Sequence, residues 1–586
     1  MNPLRCGCLS DLYDKLVDLA KKRGVYWVSY EIYGGLAGFY DFGPVGVLLK
    51  RSIIDEWLKT FVYTFDFMVE IETPMINPQV VFKASGHEDH FTDPIVVCSK
   101  CGRVYRADHL IKEVTGINVE GASLESMWSI IVEKGVKCPE CGGDLSKPEN
   151  ALLLFKTEIG PYRGQLGYLR PELAQGMFVD FKTVLNIARN KLPLGIAQVG
   201  RVARNEISPR QGLLRLREFT IMELEFFHDP SESRRDIEDY LGYVEGETLN
   251  VVTAESRERG FEEPVKLTVR EAFEKGVVKN PWLAFWMGVG AKFVRSLGIP
   301  PEKTRFLEKL PHERAHYSAQ TFDQEVYSSK FGWVEIAGYA YRTDYDLRKH
   351  MEYSGVDMFF FKRYERPLEV VKKRVAVDYK KLTEFLGEKY QSVLKSLQSM
   401  SQEELYEELS NKGYVLIGDV KLGREFFELR EEKTLVHGEK IVPHVVEPSF
   451  GVERLLYILL EYSYTVVEDR VVLRIPPRLA PYQVAVFPLL AGGKEEHRAM
   501  SSLARSIVKR LREKGLRVVY DEEGSIGRRY ARSDEIGVPY AVTVDHQSLR
   551  DNTVTIRFRD TRNQVRVEVD KLYDTILKYL EDNKMA

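Results

Sequence analysis

RVARNEISPRQGLLRLREFTIMELEFF, residues 201–227, reads as two short amphipathic strands joined by a turn. Strand side chains alternate between faces, so parity separates the residues. Arg215, Arg217, Phe219, Glu223 and Glu225 share one face, and Leu214, Leu216, Met222, Leu224 and Phe226 share the other. One face is core, and the other sets charge around an aromatic ring. In the first half Arg204 and Glu206 share a face, and Ser208-Pro209-Arg210-Gln211-Gly212 supplies the turn chemistry. On charge alone, a solvated hairpin face is the simpler reading. The alternative is a bound nucleotide, with Arg204 neutralising an α-phosphate, Phe219 stacking on a base and Glu206 accepting from its exocyclic amine.

The chain around this stretch has 586 residues, enough for two to four domains. Its 44% hydrophobic and 29% charged residues are those of a soluble globular protein, without repeats or low-complexity tracts. The N-terminus lacks a signal-like apolar run, and no stretch has 18 uninterrupted apolar residues. Cytoplasmic residence without membrane association is the expectation. A formal charge of -3 argues against bulk attraction to a polyanion. Contact with nucleic acid therefore needs local patches, and "RSIVKRLREKGLR" and "GRRYARSDE" near the C-terminus are candidates, with solvated helix faces as the alternative.

All six cysteines fall within the first 141 residues, which is not the distribution of a secreted disulfide framework. Cys98-x-x-Cys101 and Cys138-x-x-Cys141 form two knuckles separated by 36 residues. Four thiolates can close a tetrahedral zinc shell, which leaves no open position and makes the metal structural; free thiols are the alternative. The gap exceeds the usual ribbon spacing, so another element should sit inside it. Cys6 and Cys8 receive no role. His312-Glu-Arg-Ala-His316 fits the HExxH pattern of zinc proteases, but only three positions are fixed and no third ligand follows.

Along the chain, "LSDLYDKLVDLAKKRG" has helical period with Gly24 as its stop, and a glycine-rich segment leads into the amphipathic helix "VLLKRSIIDEWLKTFV". "FMVEIETPMI" reads as a strand broken at Pro74. Residues 230–310 and 353–440 become charged and helical, and read as insertions or appended lobes. Glu447 to Arg454 bring a carboxylate, a hydroxyl, a glycine and an arginine to the mouth of a helix, suited to phosphate and a divalent metal, or simply a helix entry. From about residue 481 the alternation of strand and helix marks a separate α/β domain.

These residues together resemble class II aminoacyl-tRNA synthetases. Val202-x-Arg204-x-Glu206, a loop, and Arg215-x-x-x-Phe219-x-x-x-Glu223 are similar to motif 2, and Gly451-Val452-Glu453-Arg454 to motif 3. The helix, strand and Pro74, or alternatively Pro78, match motif 1. "EIYGGLAGFYDFGPVG", "SGHEDHFTDP", "YRADHL", "YLRPELAQGMF", "WVEIAGYAYRTDYDL" and "VVEPSFG" narrow the resemblance to glycyl-tRNA synthetases of the homodimeric archaeal and eukaryotic kind. The tail resembles the anticodon-binding domain of the prolyl, threonyl and histidyl enzymes. Compared with the animal enzymes, the sequence has no extra N-terminal helical hairpin, and the four-cysteine insertion replaces a shorter stretch.

The resemblance implies an α+β fold: a class II antiparallel-sheet catalytic domain with helical insertions, plus a C-terminal α/β anticodon-binding domain. The implied boundaries are catalytic core with motif 1 over 1–92, zinc-binding insertion over 93–150, and core with motif 2 over 151–229. An insertion over 230–310, core over 311–352 and a helical insertion over 353–440 follow. Core with motif 3 occupies 441–480, and the anticodon-binding domain 481–586. The implied activity is ATP-dependent conversion of glycine to glycyl adenylate and transfer to the 3' end of tRNA(Gly), by a homodimer. Arg204 and Arg454 are the expected catalytic residues. The expected ATP contacts are Arg204, Asn205, Glu206, Arg215, Arg217, Phe219, Glu335, Ile336, Arg342, Gly451 and Arg454. Those for glycine are Arg106, Glu172, Phe219, Glu223, Glu447, Ser449 and Gly451. Glu335 and Glu447 are the candidates for Mg2+, with an indirect role as the alternative for Glu447. Arg210 and Arg215 are positioned in sequence to reach the acceptor stem. The rivals are a synthetase for another amino acid and a catalytically silent tRNA- or DNA-binding relative.

Overall fold

The computed structural model describes residues 7–209, 211–489 and 493–582, with side chains from residue 12 to residue 581. Cys6, the Cys8 side chain and Arg210 lie outside the described residues. Two compact units result, one of residues 359–442 and one of the remainder.

The larger unit is organised by a nine-stranded sheet. In chain order, helix α1 (Gly7–Lys22) and helix α2 (Pro44–Trp57) precede β1 (Met68–Glu70). A small sheet follows, of β2 (Thr92–Val97), β3 (Val104–Arg106) and β4 (Glu149–Leu152). The main sheet continues with β5 (Leu194–Ala203), β6 (Glu218–His228), β7 (Thr248–Val252) and β8 (Val265–Thr268). Helix α3 (Pro281–Ser296) leads to β9 (Thr304–Glu308), β10 (Gln320–Ser328) and β11 (Gly332–Thr343). Strand β12 (His444–Gly451) runs directly into helix α4 (Val452–Ser463). The spatial order is β8-β7-β9-β10-β11-β12-β6-β5-β1. The six strands from β9 to β5 pair antiparallel throughout, and β1 adds parallel to β5.

Parity within β6 divides the sheet as the sequence suggests. Met222, Leu224 and Phe226 enter a core with Phe450, Trp282 and Trp286. Glu223 and Glu225 point to the opposite side and are also buried. The strand itself is shorter than the motif that announced it. Regular pairing ends at Ala203 and resumes at Glu218, so residues 204–209 and 211–217 are irregular apart from a 3-10 turn over Gly212–Leu214. Tertiary contacts, not strand alternation, orient Arg204, Glu206, Arg215 and Arg217.

For residues 230–310, read from sequence as an insertion or an appended lobe, the structure narrows the choice. They are no appended lobe: β7 and β8 form the sheet's edge, and α3 is buried along nearly its whole length. Asn280 caps that helix, accepting from the backbone N–H of Trp282 at 2.9 Å and Leu283 at 3.2 Å, with Pro281 in its first turn. The polar residues around it made the region look peripheral; the apolar run inside is the core's largest aromatic contribution.

Residues 359–442 form a unit of their own, a long antiparallel ribbon of Phe360–Val377 and Phe427–Ile441 with three helices packed around Leu382, Leu397 and Leu409. The C-terminal part of the larger unit contains β13 (Val484–Pro488), β14 (Val518–Tyr520), β15 (Tyr540–Val544), β16 (Thr553–Phe558) and β17 (Gln564–Glu568). They pair in the order β14-β13-β15-β16-β17 around a separate core that includes Val486, Ile507, Val542 and Ile556.

Helix α2 approaches residue 25 so closely that a Cβ built on Gly46 would lie 1.9 Å from the Val25 carbonyl oxygen. Backbone cannot yield as a flexible side chain does, and overpacking costs about 1–3 kcal/mol or more. Gly46→Ala is therefore expected to lower the melting temperature markedly in a thermal scan; an unchanged value would show that α2 has room to shift.

Candidate active site

On the face of the sheet opposite the aromatic core, three antiparallel strands place Glu223, Ser449 and Gly338 side by side. Glu223 of β6 pairs with Ser449 of β12, which pairs with Gly338 of β11. One row away, Glu447 pairs with Ala340. These residues floor a cavity of about 210 Å³ that continues into a second of about 610 Å³. The two share Glu172, Arg204, Tyr317, Glu335, Gly338, Glu447 and Ser449.

One end is acidic and closely supported. Glu172 lies 3.2 Å from His87 Nε2 and accepts from Gln175 at 3.0 Å. Glu223 accepts from the Leu173 backbone N–H at 2.6 Å. Glu447 pairs with Arg342 at 2.6 Å, and the same guanidinium holds Asp346 through two bonds of 2.8 and 3.0 Å while stacking 3.7 Å over the Tyr317 ring. Arg342 is fully buried. Burial alone would raise the Glu172 carboxyl, but His87 and Arg342 hold it below the usual carboxylate range. Burial raises Glu223, with the neighbouring Glu172 charge adding to the effect, and raises Glu447 strongly despite Arg342. Glu225 is raised most by burial and next by Glu447, and its two carboxyl oxygens make no hydrogen bond among the described residues.

The other end is cationic and aromatic. Arg204 donates to the Pro171 carbonyl at 3.0 Å and lies between the rings of Phe91 and Phe219, 5.6 and 5.4 Å from their centroids. Arg215 reaches Glu206 at 2.7 Å. Arg454, in the first turn of α4, donates to the Leu214 carbonyl at 3.0 Å and meets the Glu335 carboxylate at 3.2 Å. Phe219, Ile336 and Gly451 complete that wall. Such an arrangement can bind a polyanion beside a planar ring at one end and a small cation at the other.

Four expected contacts lie elsewhere. Arg106 is not in the cavity: Asp108 holds it bidentately at 2.8 Å on each arm, and Asp93 lies 3.1 Å away. Arg217 faces Ala37, donating to its carbonyl at 2.8 Å, because the chain at 217 has not yet entered the strand. Asn205 is exposed, its backbone N–H donating to the Leu153 carbonyl at 2.7 Å. Arg342 lies beneath the cavity, where it supports Glu447. Sequence reading also missed Tyr317, Gly338 and Glu453 in the lining. A register shift opposite Gln324 and Glu325 leaves Ile336 as the extra residue of β11, so simple alternation misassigns this strand, as bulges do beside active sites. The HERAH segment is not helical, and Glu313 is paired with Arg257 at 2.6 Å.

Away from the cavity, Cys98, Cys101, Cys138 and Cys141 bring their sulfurs within 4.8 Å of one another. Cys98 and Cys141 are 3.5 Å apart, and Cys101 and Cys138 3.7 Å. Zn–S bonds of ~2.3 Å in a tetrahedron require edges of about 3.8 Å, so the set fits zinc. Gly102 and Gly142 each follow a knuckle in the left-handed region.

Comparison with known proteins agrees with this architecture. Residues 155–463 match the tRNA synthetase class II core domain (G, H, P, S and T), and residues 483–579 the anticodon binding domain. The chain is 51% identical over 573 residues to the glycine--tRNA ligase of Aeropyrum pernix, covering 98% of this chain and 97% of that one. It is 49% identical to the Pyrococcus furiosus ligase, covering 96% and 98%, and 41% identical to that of Methanocaldococcus jannaschii, covering 98% and 100%.

The chain belongs to the glycine--tRNA ligase family.

Its fold is accordingly a class II synthetase core with a C-terminal anticodon-binding domain. A Giardia lamblia prolyl-tRNA synthetase in complex with prolyl-adenylate shares that fold at 14% identity and a TM-score of 0.52, over 98% of this chain and 80% of the other. In this chain the four-cysteine cluster lies apart from the cavity, so a metal held there is expected to act structurally. Protein prepared without chelators should carry about one zinc per chain by elemental analysis, and Cys138→Ser should lose it; less than about half an equivalent in the unsubstituted protein would exclude the site.

Proposed function

We propose that the chain, an aminoacyl-tRNA ligase of this family, condenses glycine with ATP in the cavity over β6, β12 and β11, then transfers the glycyl group to tRNA(Gly). The observation that carries this reading is the row Glu223, Ser449 and Gly338 between an acidic end and an arginine-lined end. Glu172, Glu223 and Ser449 would receive the ammonium, with Glu447 held beside them by Arg342. Three buried carboxyls sharing few counter-charges favour a cation, and its arrival would pull Glu223 and Glu447 back toward ionisation.

At the other end Arg204 would neutralise the α-phosphate, Phe219 would stack on adenine, and Glu206 would accept from its exocyclic amine. Arg454 would meet the γ-phosphate side, with Gly451 and Ile336 presenting backbone along the nucleotide. Glu335 is the candidate ligand for Mg2+ travelling with ATP; Glu447, already engaged by Arg342, acts indirectly. The chain's own contribution is to hold the glycine carboxylate in line with the α-phosphorus and to balance charge as pyrophosphate departs. No nucleophilic side chain is needed. Arg106, paired with two aspartates and outside the cavity lining, is given no glycine contact in this reading.

The same reading assigns tRNA to the C-terminal domain and the 204–217 loop, a homodimer built on α2, structural zinc to the four cysteines, and cytoplasmic residence. Among the described residues, no helix is long and apolar enough to cross a membrane. Pyrophosphate exchange with each amino acid in turn tests the reading: exchange with glycine alone is expected. Exchange with none would favour a silent binding protein, and exchange with another amino acid a different specificity.

Two substitutions test the cavity itself. Glu223→Ala should abolish glycine-dependent exchange; activity within about tenfold of the parent, or ~1.4 kcal/mol, would refute its role. A Cβ on Gly338 would meet no protein atom within 4 Å and would project into free space. Gly338→Ala should therefore melt like the parent protein yet raise the KM for glycine or ATP; unchanged values for both would show that substrate does not use that space.

A further inference from the structure

The four-cysteine module lies outside the cavity, yet three contacts run from its sheet to the loop that carries Glu206 and Arg215. Strand β2 is the centre of the order β3-β2-β4. The turn between β2 and β3 holds Cys98 and Cys101, and Cys98 also bridges to Leu145 beyond the second knuckle. A metal on the four sulfurs would thus clip the β2–β3 hairpin at its tip.

At the hairpin's other end sit Asp93 of β2 and Arg106 of β3. Arg106 lies 3.1 Å from Asp93, and the other Asp93 carboxylate oxygen lies 3.7 Å from Arg215. Arg215 in turn holds Glu206 at 2.7 Å, and both line the cavity. The second contact is the Ser208 hydroxyl, which donates to the Val104 carbonyl of β3 at 3.1 Å. The third is the Asn205 N–H, which donates to the Leu153 carbonyl just beyond β4 at 2.7 Å. Residues 204–209 and 211–217 have little regular structure of their own, so these contacts hold the described parts of the loop.

We propose that Asp93 is a positioning residue for the reaction: it couples the cysteine-clipped hairpin to the Arg215–Glu206 pair and so sets the nucleotide end of the cavity. The charges alternate Asp108, Arg106, Asp93, Arg215, Glu206. Asp93 is the one carboxylate of the series within ion-pair distance of an arginine on each side; it is buried, and its Oδ2, the oxygen that faces Arg215, makes no hydrogen bond among the described residues, so its hold on Arg215 is one of charge. Taking away its charge leaves Arg215 with Glu206 alone and free to swing, a loss expected when one partner of a buried pair is removed. Among the described residues, Glu172, Glu223 and Ser449 at the ammonium end make no hydrogen bond or ion pair with this chain of charges.

The inference rests on the proposal that the cavity takes ATP, and one assay separates the two. In glycine-dependent pyrophosphate exchange, Asp93→Asn should raise the KM for ATP about tenfold and leave that for glycine within about twofold, with zinc content by elemental analysis unchanged. Arg106→Gln should give the same ATP-selective rise, and the double variant should add less than the product of the two, the mark of a shared route. Stripping zinc from the parent protein should raise the KM for ATP likewise, with a smaller effect in Asp93→Asn. Asp93→Asn with both KM values unchanged, equal rises in both, or full multiplicativity with Arg106→Gln would each overturn the proposal. Absence of exchange in the parent protein would instead overturn the assignment of the cavity to ATP.

Discussion

A single buried guanidinium holds the acidic half of the cavity together. Arg342 has no solvent exposure, yet it touches Asp346, Glu447 and the face of Tyr317, with Glu172 at 3.9 Å. Removing a charge from water costs several kcal/mol even after relaxation, and only paired, hydrogen-bonded neighbours repay it. Here one cation faces several carboxyls, so the region stays short of positive charge. That shortage is the physical basis for assigning a small cation to this end. It also explains why burial drives Glu223, Glu225 and Glu447 upward together while Glu172, which adds His87 to its partners, goes down.

The two ends of the cavity are held by different means. The acidic floor comes from β6, β12 and β11, whose register is fixed because each carries an opposite face of large apolar residues; a one-residue slip would put Met222, Leu224 and Phe226 where the glutamates are. The arginine-lined wall comes from an irregular loop, and its residues are placed by carbonyls and carboxylates drawn from distant parts of the chain. Arg204 depends on Pro171, Arg454 on Leu214, and Arg215 on Glu206 and Asp93. Precision at the floor is therefore a property of the sheet, and precision at the wall a property of hydrogen bonds and ion pairs made outside any sheet.

That difference decided what was legible in the sequence. Parity in residues 218–228 correctly separated the buried aromatic side from Glu223 and Glu225, because a strand obeys a period of two. The same rule applied to Arg204, Glu206, Arg215 and Arg217 covered residues that are not in strands, and Arg217 turned away toward Ala37. Two motif-based expectations share a feature the sequence did not show: Arg106 and Arg342 carry the right charge, but each is paired with carboxylates, Asp93 and Asp108 for the first and Asp346 and Glu447 for the second, and neither lines the cavity. In residues 230–310 surface charge hid the apolar run of α3 and the two edge strands. Gly338 left no signal at all, since what it offers is an absent side chain in a strand whose bulge had shifted the pattern.

Selectivity for the smallest amino acid then becomes a question of where bulk is missing and what keeps it missing. A pocket that merely lacks one methylene discriminates by about 1–3 kcal/mol, and a soft pocket gives back part of that by repacking. The row Glu223, Ser449 and Gly338 resists repacking for two reasons. Its backbone is locked between neighbouring strands with an aromatic core behind it, and its carboxyl is tied to the Leu173 N–H. A larger amino acid would have to displace a buried, hydrogen-bonded glutamate or bend the central strands of the sheet. Either would disturb the Arg342 network at the adjoining row, so in this geometry steric exclusion and charge placement are one constraint, and loosening the first would weaken the second.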